Sequence, residues 1–426
     1  MQDTLTTATE NTFRDWIESR KALEPEWMHQ RRLLAAEASF ALDWPKLERT
    51  PLKKRRLDQI PLFPAATTKT AIPPEATDEA AAIVRWRGRN VVSVSVPQAL
   101  ADRGVVLRPL TDALDQEPVR EHLGRLLDER EDKVAALNAA LWTAGTYLFV
   151  PGNLPEPLSV SLEIDLGAED TALFSRNLIV VGRNSRVLVT ERITGGPESA
   201  KMLLAHNTEV VVSEGASVQY GSIQQASERV EGFIHRQADL QNDAHIEWLI
   251  GEFGSALLVG DHVSQLNQPG ASTKSITVFF GSAQQHQDFT AKSFHHAPHT
   301  VSDMVARGVM KGRARSVFTG LTQIDKGARG SDGRQKEQTL MLSEEARADA
   351  IPSLLIDERD VYAAHAASAG PIDKAAVFYL TSRGLTEKEA ERMIVHGFLA
   401  PVIDKIPNDP LRDQVWQAVE RKIVHD

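Results

Sequence analysis

The strongest constraint on the fold comes from residues 146–357, where short apolar runs alternate with turns rich in Gly, Asn, Asp and Ser. Runs such as LSVSLEIDL, RVLVTERI and KSITVFF combine β-branched residues with the period-2 alternation that is typical of strands. The pattern continues through the whole region without a helical stripe. It therefore predicts an all-β domain.

The turns of this region resemble one another: each has an apolar residue, two or three polar residues and a small residue before the next strand. They begin, at intervals of 31, 28, 26, 44, 14 and 18 residues, at Val181, Val212, Leu240, Leu266, Met310, Ile324 and Leu342. The interval of 44 has room for a missed turn. Recurrent turns indicate a solenoid, because stacked corners accept only small residues where backbones approach closely. We therefore expect a parallel β-helix with coils of variable length; a β-sandwich with Gly-rich hairpins is the alternative.

The amino-terminal part of the chain has a mixed pattern. Residues 10–45 place apolar side chains at helical spacing, with a break expected at Pro25. Residues 64–78 are rich in Pro, Thr and Ala and lack periodicity, which predicts a linker. Short strands are expected over 81–107, and a helix over 117–143.

The carboxyl-terminal part of the chain is predicted to be helical. An apolar segment ends at Gly384, a residue suited to a helix C-cap, and Thr386 with Glu389 forms a capping box for the next helix. The sequence thus predicts a helical and mixed region over 1–145, a β-helix core over 146–357 and a helical domain over 358–426.

Composition excludes several functions. The chain contains no cysteine, which rules out disulfides, thiolate zinc sites and a cysteine nucleophile. Lys and Arg number 48 against 58 Asp and Glu, a net charge of −10, so nucleic acid and anionic membrane surfaces are not expected as partners. The sequence has neither a leader pattern nor an apolar run long enough for a membrane helix, so we expect a cytoplasmic protein. P-loop, GxSxG, GxGxxG and HExxH motifs are also absent.

A histidine cluster offers one candidate metal site. His295, His296 and His299 precede Asp303, and His286 lies nine residues before the cluster. Imidazole and carboxylate groups on stacked strands can hold a divalent metal, as in a cupin-like or β-solenoid enzyme. The other interpretation is that these residues are solvated or hydrogen-bonded near a corner of a coil.

Three segments resemble the SufB/SufD family of iron–sulfur cluster assembly scaffolds, and its SufD members in particular. They are HHAPHTVSDMVARGVMKGRARSVFTG (295–320), QTLMLSEEARADAIPSLLIDERDVYAAHAASAGPID (338–373) and VFYLTSRGLTEKEAERMIVHGF (377–398). The string FYL-x-SRG in the last of these is the most specific. Weaker similarity over 139–157 and 24–57 extends the resemblance to most of the chain.

The resemblance implies a fold and a function. Family members have a right-handed parallel β-helix between two helical regions, and they act as scaffold subunits without a catalytic motif of their own. A SufD-like chain would pair with a SufB-type subunit through the β-helix and would bind a SufC-type ATPase through its carboxyl-terminal helices. The candidate partner-binding residues in that helical region are Phe378, Tyr379, Arg383, Gly384 and Phe398. When isolated, such a chain would hold no cluster stably and would have the option of forming a homodimer.

His365 is the residue to which the resemblance assigns a chemical role. It matches the family's histidine after a D-V string, which faces a SufB cysteine where a transient iron–sulfur cluster forms. A neutral imidazole is a suitable ligand for iron. Many relatives carry Cys two residues earlier, where this chain has Ala363. The lack of any thiol argues against a SufB-type role, since SufB accepts sulfur on cysteine.

Overall fold

The computed structural model describes residues 10–63 and 81–425; the predicted linker at 64–78 lies outside them. In this part of the chain there are nineteen strands. In chain order they are β1 (Ala82–Arg87), β2 (Asn90–Ser95), β3 (Val106–Pro109), β4 (Thr146–Val150), β5 (Leu158–Asp165), β6 (Ala172–Val181), β7 (Arg186–Gly195), β8 (Met202–Val212), β9 (Ser217–Ala226), β10 (Val230–Leu240), β11 (His245–Glu252), β12 (Leu257–Leu266), β13 (Ser272–Gly281), β14 (His286–His295), β15 (Val301–Met310), β16 (Arg315–Ile324), β17 (Asp332–Met341), β18 (Arg347–Ile356) and β19 (Tyr362–Pro371).

The strands form two sheets that together make a parallel β-solenoid of about eight turns. Sheet A runs in the order β19-β17-β15-β13-β11-β9-β7-β5-β1-β2, and sheet B in the order β18-β16-β14-β12-β10-β8-β6-β4-β3. From β4 onward each strand pairs in parallel with the strand two positions away in the chain, so the chain crosses from one sheet to the other at every corner. The predicted β-helix is confirmed. The sandwich alternative is wrong, because hairpins would pair consecutive strands antiparallel.

The corners form two rows, which explains the uneven turn spacing in the sequence. Corners from sheet B to sheet A follow Val181, Val212, Leu240, Leu266, His295 and Ile324. The turns at Met310 and Leu342 belong to the opposite row, from sheet A to sheet B. The interval of 44 residues, from Leu266 to Met310, therefore spans the corner at 296–300 and connects turns that belong to two different rows.

One stacked position of the first row has a left-handed backbone in successive coils. It is occupied in turn by Asn184, Gly215, Asp243, Gly270, His299 and Gly330, all with φ between 53° and 74°. Glycine, asparagine and aspartate adopt this conformation at the least cost. The recurrent small or polar turn residue in the sequence is the consequence.

The described part of the chain also contains eight α-helices. They are α1 (Glu10–Glu18), α2 (Glu26–Ala41), α3 (Gln98–Ala101), α4 (Glu117–His122), α5 (Lys133–Leu141), α6 (Lys374–Ser382), α7 (Glu387–Ile403) and α8 (Asp409–His425). The amino-terminal helices bury Phe13, Met28 and Trp142 with outward side chains of sheet B. Helices α7 and α8 bury Leu399 and Val415 on the outer face of sheet A. None of the helices in the described ranges is long and apolar enough to cross a membrane.

Two predicted boundaries differ from the structure. The helix expected over 117–143 is two helices, because residues 123–132 form a loop between α4 and α5. Gly124 in this loop has φ +67°, and its backbone lies so close to Arg31 that a Cβ atom would be 2.0 Å from Nη2 of that arginine. The strands also continue past residue 357, since β19 pairs with β17 as far as Pro371.

Close backbone packing at the first coil is testable at Gly145. This residue has φ +132°, and a Cβ atom would lie 1.7 Å from the backbone oxygen of Arg176 on the next strand of the sheet. We expect Gly145→Ala to lower the free energy of unfolding by about 2 kcal/mol or more, measured by urea denaturation. The matched control is Gly397→Ala, where the added Cβ meets nothing within 4 Å; this variant should be as stable as the wild type or more so. Equal stability of Gly145→Ala and the wild type would contradict the described packing.

Candidate functional site

The last coil of the β-helix, formed by β18 and β19, is the least covered part of the solenoid. Each of these strands ends its sheet and pairs, within the described chain, with only one neighbour. Neither strand contains a buried residue, whereas strands such as β6 and β8 are buried throughout. Leu355 and Tyr362 are 50% and 58% exposed. This open end therefore presents two strand edges and the interior of the coil to solvent.

His365 lies on the inner side of this open end. On β17 the buried residues alternate with exposed ones, and Gln335 and Glu337 belong to the buried set. The register places His365 next to Gln335 and Ala367 next to Glu337, so both β19 residues share that inward face. His365 is nevertheless exposed, because no further coil covers it. The imidazole is thus held on a rigid strand and remains accessible from outside the chain.

Beneath His365, two polar groups of β17 form the floor of the open end. Gln335 donates from Nε2 to Thr322 Oγ1 at 2.7 Å and to the carbonyl of Ser353 at 3.2 Å, but its buried Oε1 has no hydrogen-bond partner among the residues that the structure describes. Glu337 is 7% exposed and accepts one long hydrogen bond, from Thr339 Oγ1 at 3.4 Å. Burial raises the pKa of Glu337 to about 8, against the opposing effect of Thr339, so the carboxyl is mainly protonated at neutral pH.

A small cavity connects these groups. Gln335, Glu337 and His365 all line it, together with Phe318 and Met304 from the coils below. Its volume is about 10 Å³, close to the space that one water molecule needs. The cavity is therefore the size of an ion or a water rather than of an organic substrate.

Sequence reasoning did not identify Gln335 or Glu337. Both lie in the polar segment DGRQKEQT, where a period-2 pattern of apolar residues is absent. The burial pattern of β17 in the structure shows which of these polar side chains face inward. The one available signal was the position of the segment, immediately before the family-like string at 338–373.

The predicted partner-binding residues separate into two groups. Phe378 and Tyr379 are 73% and 58% exposed on α6, a helix without a buried residue. Arg383 stacks on Tyr379, with Cζ 5.2 Å from the ring centroid, and Gly384 ends the helix with φ +97°. Phe398, by contrast, is half-buried against sheet A beneath Arg307, whose Cζ lies 5.1 Å from its ring. Phe378 and Tyr379 thus form the exposed apolar face of α6, and Phe398 lies elsewhere.

The histidine cluster at 295–299 is a corner of the β-helix. Both ring nitrogens of buried His295 lie 2.8 Å from hydroxyl oxygens, of Thr300 and Ser302, and burial lowers its pKa to about 4. His296 bonds instead to Asp325 at 2.6 Å and Gln265 at 2.9 Å.

The remaining members of the predicted cluster do not join it either. His299 turns the corner with φ +59°, Asp303 follows on β15, and His286 bonds to Thr50 at 2.7 Å. Across residues 10–63 and 81–425, no three His, Asp or Glu side chains are grouped so that they could hold a metal ion. The structure therefore does not bring the predicted metal ligands together, and neighbouring side chains already bond to His286, His295 and His296.

Comparison with known proteins agrees with this architecture. The family model described as "SUF system FeS cluster assembly, SufBD core domain" matches residues 164–398, which include the open end and α6. The chain is 32% identical over 423 residues to the iron–sulfur cluster assembly protein SufD of Bacillus subtilis, covering 95% of this chain and 96% of the relative.

Two further relatives show lower identity over a similar span. SufB of Bacillus subtilis is 26% identical over 91% of this chain and 88% of its own length. A SufBD family protein of Staphylococcus epidermidis has the same identity and coverage. The identity to SufD is thus higher than the identity to SufB of the same organism. The chain therefore belongs to the SufB/SufD family of iron–sulfur cluster assembly proteins, on its SufD side.

Proposed function

We propose that this chain is a non-catalytic scaffold subunit that pairs through its open end with a SufB-type subunit and presents His365 to a nascent cluster. The observation that carries the proposal is the last coil, where two strand edges and an inward imidazole are exposed together. The cluster is cargo and is held only while the two subunits are paired.

Pairing at the open end follows from the physics of strand edges. An exposed strand edge carries unsatisfied N–H and C=O groups and is a template for another strand. Leu355 and Tyr362 add exposed apolar area next to those edges. A second β-helix placed against this end would satisfy the edges and cover the apolar side chains. In the absence of a SufB-type subunit, a second copy of this chain would meet the same need.

The division of ligands follows from composition. Without cysteine, this chain contributes no thiolate to an iron–sulfur centre. Iron also accepts imidazole, and His365 is the histidine on the exposed inner face of the last coil. The partner would supply the thiolates and accept the sulfur, while this chain would supply a rigid wall and an imidazole.

Helix α6 is the proposed contact for a SufC-type ATPase. Its two exposed aromatic residues, Phe378 and Tyr379, follow the last strand by only a few residues. Exposed aromatic residues commonly dominate the binding energy of protein interfaces. An ATPase bound at α6 would thus lie close to the open end, where its movements would act on the paired subunits.

The pairing surface is tested by a charge placed beside the terminal edge. We expect Leu355→Lys to weaken co-purification with a SufB-type subunit by about tenfold, or about 1.4 kcal/mol, because the cation would have to lose water in an apolar contact. Val92→Lys is the matched control: Val92 is 40% exposed on β2, at the opposite end of sheet A. Unchanged association of Leu355→Lys, or equal loss in both variants, would disprove the proposed surface.

The ligand role is tested by His365→Ala in the assembled complex. We expect the variant to associate normally but to lose most cluster formation, measured as bound iron and sulfide and as visible absorbance after anaerobic reconstitution. His296→Ala is the control, since it removes an accessible imidazole at a corner away from the last coil. Cluster formation at the wild-type rate in His365→Ala would contradict the assigned role.

The ATPase contact is tested by Phe378→Ser. Because Phe378 is so exposed, its loss should leave the unfolding temperature unchanged while reducing capture of a SufC-type ATPase by about tenfold. Leu23→Ser removes another exposed apolar side chain, 59% accessible, from the amino-terminal region and should have no effect on capture. Full capture by Phe378→Ser would place the ATPase contact elsewhere.

A further inference from the structure

The floor of the open end contains two side chains, Gln335 and Glu337, whose oxygens make fewer hydrogen bonds within the described chain than they could accept. Within residues 10–63 and 81–425, the buried Oε1 of Gln335 has no hydrogen-bond partner, and Glu337 has one hydrogen bond at 3.4 Å. Buried oxygens in native proteins are normally satisfied, and an exception indicates a bound ion, a bound water or a functional role. Two such groups beneath the same exposed imidazole require a common explanation.

The backbone keeps this place open. Gly320 faces Gln335 from the opposite sheet, where a Cβ atom would lie 2.9 Å from the unpartnered Oε1. On β19 the residue beside Glu337 is Ala367, whose methyl group is too short to cover the carboxyl. Glycine and alanine therefore leave the side-chain oxygens of β17 facing the small cavity at the end of the helix.

The register brings these oxygens within reach of His365. Gln335 is its direct neighbour on the adjacent strand, and Glu337 is the diagonal neighbour on the same face. Diagonal neighbours have Cβ atoms about 7–8 Å apart, a separation that long side chains can bridge. An ion in the cavity would lie between the imidazole and the carboxylate.

We propose that Glu337 is a second iron ligand of this chain. Glu337 and His365 would bind Fe²⁺ together, and Oε1 of Gln335 would be a weak third ligand. The inference rests on the proposed function, since a subunit that pairs at the open end would complete the coordination with its thiolates. Alone, the chain would provide a half-site for a divalent ion.

The donor set fits this ion. Imidazole suits iron, and imidazole together with carboxylate is the donor combination of non-haem Fe²⁺ sites. On binding, the Glu337 carboxyl releases its proton to solvent, and the charge of the metal offsets the cost of a buried carboxylate. The cavity also has the size of an ion, which argues against a larger anionic ligand.

The test is anaerobic titration of the purified full-length chain with Fe²⁺ and, as a spectroscopic probe, Co²⁺. We expect Glu337→Gln and His365→Ala each to weaken binding at least tenfold and to abolish the Co²⁺ absorption bands of the wild type. Glu344→Gln is the matched control, because its carboxyl is 92% exposed and pairs only with Lys374 at 3.5 Å. This variant should bind like the wild type. The same titration is then repeated on the complex with a SufB-type subunit.

Folding is checked separately. Glutamine has the shape of glutamic acid and is neutral, so Glu337→Gln should unfold at the same temperature as the wild type or higher. Gln335→Glu, which replaces the weak amide ligand by a carboxylate, should strengthen Fe²⁺ binding in a folded chain. This gain of function could not result from a damaged core.

The outcomes separate this inference from the proposed function. If His365→Ala loses the cluster in the complex while Glu337→Gln binds Fe²⁺ like the wild type, only the role of Glu337 is wrong. If the wild-type chain binds neither Fe²⁺ nor Co²⁺, alone or in the complex with a SufB-type subunit, the inference of a metal half-site is overturned. If no pairing occurs but Glu337→Gln still weakens metal binding by the isolated chain, the half-site stands and the proposed partner is wrong.

Discussion

Parallel pairing between each strand and the strand two positions along the chain is the interaction on which the whole molecule depends. The strands of each coil hydrogen-bond to the backbone N–H and C=O groups of the coil before it. The strands of the last coil therefore have backbone groups on their outer edge that no following coil of the described chain pairs with. At the amino-terminal end β2 and β3 pair antiparallel with β1 and β4, and helices pack nearby. At the other end β18 and β19 have no such cover in the described chain. The end of the stack is consequently the place where strand edges remain open.

The sequence predicted the solenoid because its cause is local: a left-handed corner position holds Asn, Asp or Gly in most of the coils. It did not predict the two rows of corners, since turns at Leu266 and Met310 look alike although they lie on opposite sides of the helix. The corner between them was missed because His299 occupies the left-handed position that glycine holds in the neighbouring coils. The same histidines were then read as a possible metal site.

The candidate site was only half predictable for a related reason. His365 was identified by the family-like string around it, and the structure then gave its orientation through the pairing with Gln335. Gln335 and Glu337 lie in a polar strand, where alternation of apolar residues cannot reveal which face is inside. Whether the polar side chains of such a strand are buried depends on the coils that pack above and below it, and these coils are distant in the sequence.

A divided site also explains how a tightly wound scaffold could release its cargo. An ion enclosed within one β-helix could leave only if stacked coils separated, which would break many backbone hydrogen bonds at once. In the proposed arrangement the imidazole and carboxylate belong to one chain and the thiolates to another, so parting of the two chains removes half of the ligands without unfolding either. The open end would then be a requirement of transient binding, and an ATPase held at α6, beside that end, would be well placed to drive the separation.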